Sequence, residues 1–92
     1  MFYPYCVLGE DIEVVQTPLN KQGITVVHFE KPDPIFCFKT LDCTVPYYIV
    51  SGIVGFTNDE VADLVDFCRN NSGLLLLGAR TEGVLRMPKL FK

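Results

Sequence analysis

Tryptophan is absent from this chain, histidine occurs once (His28), and no apolar run reaches the ~18–20 residues that cross a bilayer as a helix. The longest apolar run, Tyr47 to Val54, is interrupted by Ser51 and Gly52 and closed by Gly55 and Asn58-Asp59-Glu60, which rules out a spanning helix there. The N-terminal Met-Phe-Tyr-Pro-Tyr puts no basic segment ahead of an apolar stretch, so no secretory signal is expected and cytoplasmic residence is the expectation. Cys6, Cys37, Cys43 and Cys68 are separated by 30, 5 and 24 residues and contain no C-x2-4-C knuckle, so no metal is expected, nor any cofactor. The four thiols lie in apolar segments, where free cysteine acts as a small hydrophobe, and they are expected to be reduced and buried.

Positive charge is scarce in the body of the chain. Residues 1–78 carry ten acidic and four basic side chains, a net of −6, whereas Arg80, Arg86, Lys89 and Lys92 against Glu82 give residues 79–92 a net of +3. An acidic body repels phosphate backbones, which disfavours nucleic acid except through the 80–92 tail. With 92 residues, 49% of them apolar, the chain is expected to be a single domain able to bury about 60–65% of its unfolded surface without staples.

What is present reads as an α+β chain. Phe2 to Leu8 and Ile12 to Gln16, separated by Gly9-Glu10-Asp11, predict a hairpin. Ile24 to Phe29 predicts an interior strand, and Lys31-Pro32-Asp33-Pro34 is expected to end it because two prolines remove two amide donors. Ile35 to Leu41 predicts the returning strand, placing His28 near Phe36 to Phe38, and Asp42 to Pro46 is expected to break the pattern. Tyr47 to Val54 has no polar face and predicts a strand buried on both sides.

The firmest local signal is a helix start. Thr57 as N-cap, Glu60 three residues on and Phe56 with Val61 form a capping box and a hydrophobic staple. Val61, Leu64, Val65 and Cys68 then recur at helical spacing, so an amphipathic helix over about 58–70 is expected, ended near Gly73. Leu74 to Leu77 predicts a further short strand, making a strand-helix-strand unit over 47–77. The expected architecture is a mainly antiparallel sheet of five to six strands with one helix packed on one face, and residues 79–92 as an edge strand or a partly ordered tail.

No constellation carries catalysis outright, so no catalytic residue is assigned. His28 with Cys37 on the adjoining strand is the one nucleophile–base pairing to weigh, and an apolar setting in an acidic protein gives the thiol nothing to acidify it. Ser51, Gly52, Gly55 and Thr57 lead from a strand into a helix N-terminus, where amides can hold an anion, yet Asp59 and Glu60 already fill that end with negative charge. Asp59, Asp63 and Asp66 form an acidic stripe, and Tyr3 and Tyr5 belong to an aromatic N-terminus of the kind that anchors interfaces. The function expected first is therefore a small non-enzymatic protein-protein interaction module, an inhibitor, immunity or antitoxin-like protein or assembly subunit, meeting a basic protein or a second copy of itself. A small-ligand or nucleotide-binding domain using the Ser51 to Thr57 turn comes second, and a thiol-dependent enzyme third.

Overall fold

The computed structural model describes residues 2–9 and 11–80. Five strands, β1 (Tyr3–Leu8), β2 (Ile12–Gln16), β3 (Thr25–Asp33), β4 (Cys37–Val45) and β5 (Val50–Val54), are followed by two helices, α1 (Asn58–Asn70) and α2 (Ser72–Arg80). The strands form one antiparallel sheet in chain order, each pairing with the next. Alternation along them sorts side chains between two faces. Val14, Gln16, Thr25, Val27, Phe29, Leu41, Cys43 and Val45 point to one face and are buried; α1 adds Leu64 and Cys68 to that core, and α2 adds Leu75 and Ala79. Phe67 of α1 closes edge-to-face on both Tyr5 and Phe29, with ring centroids about 6 Å apart.

The hairpin of β1 and β2 and the helix start are as expected. Thr57 Oγ1 accepts from the Glu60 amide (3.2 Å) and Glu60 Oε1 from the Thr57 amide (2.9 Å), so two of the orphan donors of the first turn are satisfied reciprocally. Several boundaries differ. β3 runs through Pro32, which pairs with Phe38; β2 ends opposite Glu30, so beyond it β3 has one neighbour, and alternate residues of such a ribbon turn their amides to solvent, where proline loses nothing. β4 begins at Cys37 and continues through Asp42 to Val45, because Leu41, Cys43 and Val45 point into the core while Asp42 and Thr44 point out.

The strand-helix-strand unit over 47–77 is a strand followed by two helices. Leu74 to Leu77 lies within α2, where Leu75, Gly78 and Ala79 at i, i+3 and i+4 make one buried stripe; a short run of leucines carries no period of its own, and leucine favours helix. Gly73 sits in the first turn of α2, and α1 is closed instead by Asn71, whose amide and side chain both donate to the Phe67 carbonyl. Nor is the 47–54 stretch a strand buried on both sides. Val45-Pro46 is a cis peptide, Tyr47 to Ile49 form a turn held by the Tyr48 amide on the Thr44 carbonyl (2.6 Å), and only Val50–Val54 pairs, as an exposed edge strand.

Both edges of the sheet carry a bulge. In β1, Tyr5 is the extra residue between the pairs Pro4–Val15 and Cys6–Val14. In β5, Gly52 and Ile53 together oppose Leu41, and Gly52 takes the left-handed conformation (φ +60°) that the first position of such a bulge requires. Such irregularities twist an edge away from further strands. The expectation of a last strand or tail beyond Arg80 falls on residues outside those described. Among the described residues no helix is long and apolar enough to cross a membrane.

Candidate interaction surface

The turn between β3 and β4 is built by Asp33. Its Oδ2 accepts from the amides of Ile35 (2.9 Å) and Phe36 (3.0 Å), which folds the chain back and turns the intervening apolar side chains outward. The bond from the Phe36 amide holds the Asp33 carboxyl below its ordinary range, against a smaller opposing cost of burial. Ile35 is 84% exposed, Phe36 50% and Phe38 47%, and at the end of β5 Ile53 (48%) and Val54 (44%) are exposed too. The two parts meet at Gly55. A Cβ there would lie 2.7 Å from Lys39 Cγ and 3.1 Å from Phe36 Cδ2, and with φ +84° the position accepts only glycine, so the Phe36 ring rests against the backbone that leads into α1.

Charge around this cap is accounted for locally. Lys39 Nζ lies 3.9 Å from Asp33 Oδ1 and 4.0 Å from Glu60 Oε1, and Lys31 adds a second positive charge near both carboxylates. The hydrogen bond from the Thr57 amide holds Glu60 below the usual carboxylate range. What is left over is acidic: Asp59 and Asp63 stand exposed on α1, while Asp66 shares an exposed ion pair with Arg69 (3.4 Å). The acidic stripe thus starts next to the apolar cap, through the Glu60–Lys39 contact.

The remaining candidates are dispersed. Tyr5 packs on Phe67 and Tyr3 is half-buried, while Phe2 stays 47% exposed against His28; outside the β3–β4 turn Val7, Tyr47, Ile49 and Leu74 are exposed as well. Ser51 and Gly52 belong to the edge strand, where Gly52 serves the bulge, while Gly55 and Thr57 serve the turn and the cap. The Thr57 and Glu60 amides are already occupied at the helix start. His28 and Cys37 do not meet: His28 pairs with Asp42, and Cys37 opposes Asp33 five rungs away, roughly 17 Å along the sheet. Cys37 is exposed, contrary to the expectation of four buried thiols, because it sits at the hairpin end with a left-handed backbone (φ 69°).

Register creates one cluster that sequence order conceals. On the open face His28 Nδ1 lies 2.5 Å from Asp42 Oδ1 and Nε2 lies 3.5 Å from Glu30 Oε1, with the Phe2 ring tilted over the imidazole at 5.5 Å. Gly52 leaves room for it, since a Cβ there would come within 3.2 Å of Asp42 Oδ2. Both ring nitrogens face carboxylates, so the imidazole is tied between Asp42 and Glu30. Among the described residues no group of three or more His, Cys, Asp or Glu side chains is arranged to hold a metal ion. Comparison with protein families, with curated proteins and with solved structures finds no match for the chain.

Proposed function

We propose that the chain is a small cytoplasmic, non-enzymatic protein-protein interaction module of the inhibitor, immunity or antitoxin-like, or assembly-subunit kind. The observation that carries this reading is the set of exposed apolar side chains at the β3–β4 turn and the end of β5, Ile35, Phe36, Phe38, Ile53 and Val54, close to the start of α1 with its surplus acidity. The partner is a protein surface with an apolar centre and Lys or Arg on one side, the apolar part supplying affinity and the charges supplying rate and register. Side chains make this contact: the bulge at Gly52 disfavours the addition of a strand along β5.

The test uses the full chain, the variant Phe36→Ser/Phe38→Ser, and the charge reversal Asp59→Lys/Asp63→Lys/Asp66→Lys, each checked for folding by circular dichroism. Proteins retained from the native source are identified by mass spectrometry, and native mass in solution is measured alongside. A specific companion lost with the phenylalanine pair and weakened by the charge reversal supports the reading. A companion retained equally by both variants overturns it, and a dimer abolished by the phenylalanine pair makes the partner a second copy.

A further inference from the structure

Among the described residues one face of the sheet has no helix over it, and its carboxylates meet no Lys or Arg. The register links five residues into a rung across the whole sheet: Val7 opposes Glu13, Glu13 opposes Glu30, Glu30 opposes Thr40 and Thr40 opposes Val54. Val7 and Val54, at the two ends, are 58% and 44% exposed, and the two glutamates stand side by side between them, a pairing of like charges that costs stability unless a cation offsets it. Asp42 adds a third carboxylate on the next rung, between His28 and Ser51. No Lys or Arg of the five strands alternates onto this face. Lys31 and Lys39 serve the helix side, Lys39 beside Asp33 and Glu60 and Lys31 near the same two carboxylates.

The same region offers an apolar footing. A hollow of about 240 Å³ is lined in part by Pro4, Val7, Glu13 and Val15, so an apolar side chain seated in it lies next to a carboxylate. The complement of such a surface is a segment with basic and apolar residues in close succession. A second copy does not supply it, because face to face it sets Glu13, Glu30 and Asp42 against the same three acids. Residues 84–92 of this chain do supply it: they hold Arg86, Lys89 and Lys92 among apolar residues such as Leu90 and Phe91, and no acid. The distance is within their reach. α2 ends at Arg80, with the Ala79 carbonyl accepting from the Leu19 amide (3.2 Å) in the connection between β2 and β3. Glu30 lies five residues along β3 from Thr25, about 17 Å. At about 3.3 Å per extended residue, Lys89 and Lys92 are up to roughly 30 and 40 Å of chain from Arg80.

We infer that the open face of the sheet is the docking site of this chain's own residues 84–92, their basic side chains set against Glu13, Glu30 and Asp42 and their apolar ones against Val7 and Val54. The stripe on α1 is the competing acidic surface, and it lacks half of the match: on that helix Ala62 is the one exposed apolar residue among Asp59, Asp63 and Asp66. The contact runs through side chains, since the bulges of β1 and β5 turn both edges away from an added strand. A cation placed over the Glu13–Glu30 pair offsets the repulsion that the register builds in, and the contact weakens as salt screens it. The inference does not rest on the partner reading above, because the occupant is part of the chain and the contact forms with no other protein present.

The experiment treats the purified full chain with a zero-length carbodiimide, which joins a lysine amine to a carboxylate it touches. An equal mixture of unlabelled and heavy-nitrogen-labelled protein is used at micromolar concentration, followed by digestion and mass spectrometry. The expected products join Lys89 and Lys92 to Glu13, Glu30 or Asp42 within one isotopic form. The variant Glu13→Lys/Glu30→Lys, checked for folding by circular dichroism, keeps Asp42 as an acceptor and should cut its links to Lys89 and Lys92 by about fivefold, the loss of two exposed ion pairs. Val7→Ser/Val54→Ser keeps every charge and should lower the yield by about threefold through the lost apolar contact. Links made mainly to Asp59, Asp63 or Asp66, links spread evenly over the exposed acids, links that join the two isotopic forms, or an unchanged yield in either variant would each overturn the inference.

Discussion

The two faces of the sheet are built from the same strands and do opposite things. The covered face, from Val14 across Phe29 and Leu41 and from Gln16 across Val27 and Cys43, is fully buried under α1 and α2. One residue along each strand, the open face sets Glu13 against Glu30 and Thr40, and Val15 against His28 and Asp42, all of it in contact with water. The difference teaches where the stability of this protein resides: burial on one face is worth several kcal/mol per side chain, whereas partly exposed ion pairs on the other are worth a fraction of that. Directly opposed Glu13 and Glu30 even cost something.

Substitutions sharpen the contrast, beginning with the largest. Phe29→Ala, which empties a site of 0% exposure against Phe67, should cost about 3–5 kcal/mol in urea denaturation. A loss below ~1 kcal/mol would break the contrast. Gln16 and Thr25 are the polar exceptions on the covered face; the Gln16 amide donates to the Leu75 carbonyl (2.8 Å) and to Thr25 Oγ1 (3.4 Å), tying α2 to the sheet. Gln16→Leu should therefore cost about 1–3 kcal/mol and raise hydrogen exchange in α2 before it does so in the strands.

The helical cover has its own acid limit. Thr57→Ala should remove about 1 kcal/mol by taking away the cap. Glu60, held below its ordinary value of 4.5 in the folded state, contributes stability above that pH and loses it as pH falls through the lowered value. Glu60→Gln keeps an acceptor at the cap, so it should flatten the acid limb of the stability profile between pH 5 and 3; an unaltered limb would assign acid sensitivity elsewhere. On the open face Asp42→Ala should change stability by less than about 1 kcal/mol despite its contact with His28. A loss as large as that of Phe29→Ala would mean that the open face is structural as well.

How much of this was legible in the sequence depended on how local each signal was. The capping box and stripe of α1 lie within one stretch, and the helix runs over the span they predict. The alternation Leu41-Asp42-Cys43-Thr44-Val45 is equally plain, yet the turn-like composition of Asp, Thr and Pro masked it, and ending β4 early moved His28 from opposite Asp42 to beside Phe36 and Phe38. The leucines of α2 have no polar neighbours to reveal a period, so only packing against Gln16 and the sheet decides their state. The apolar cap was hidden for a further reason: Ile35 and Phe36 read as strand residues until Asp33 gathers their amides into a turn.

The order of elements also sets a schedule. All five strands precede both helices, so a chain emerging from the ribosome completes its sheet at Val54 while the cover that ends at Arg80 is still to be made. At about 5–20 residues per second that interval lasts ~1–5 s, during which Val14, Val27, Phe29, Leu41 and Val45 have been made and their cover has not. The side chains that the folded protein hides most completely are thus made before the helices that hide them.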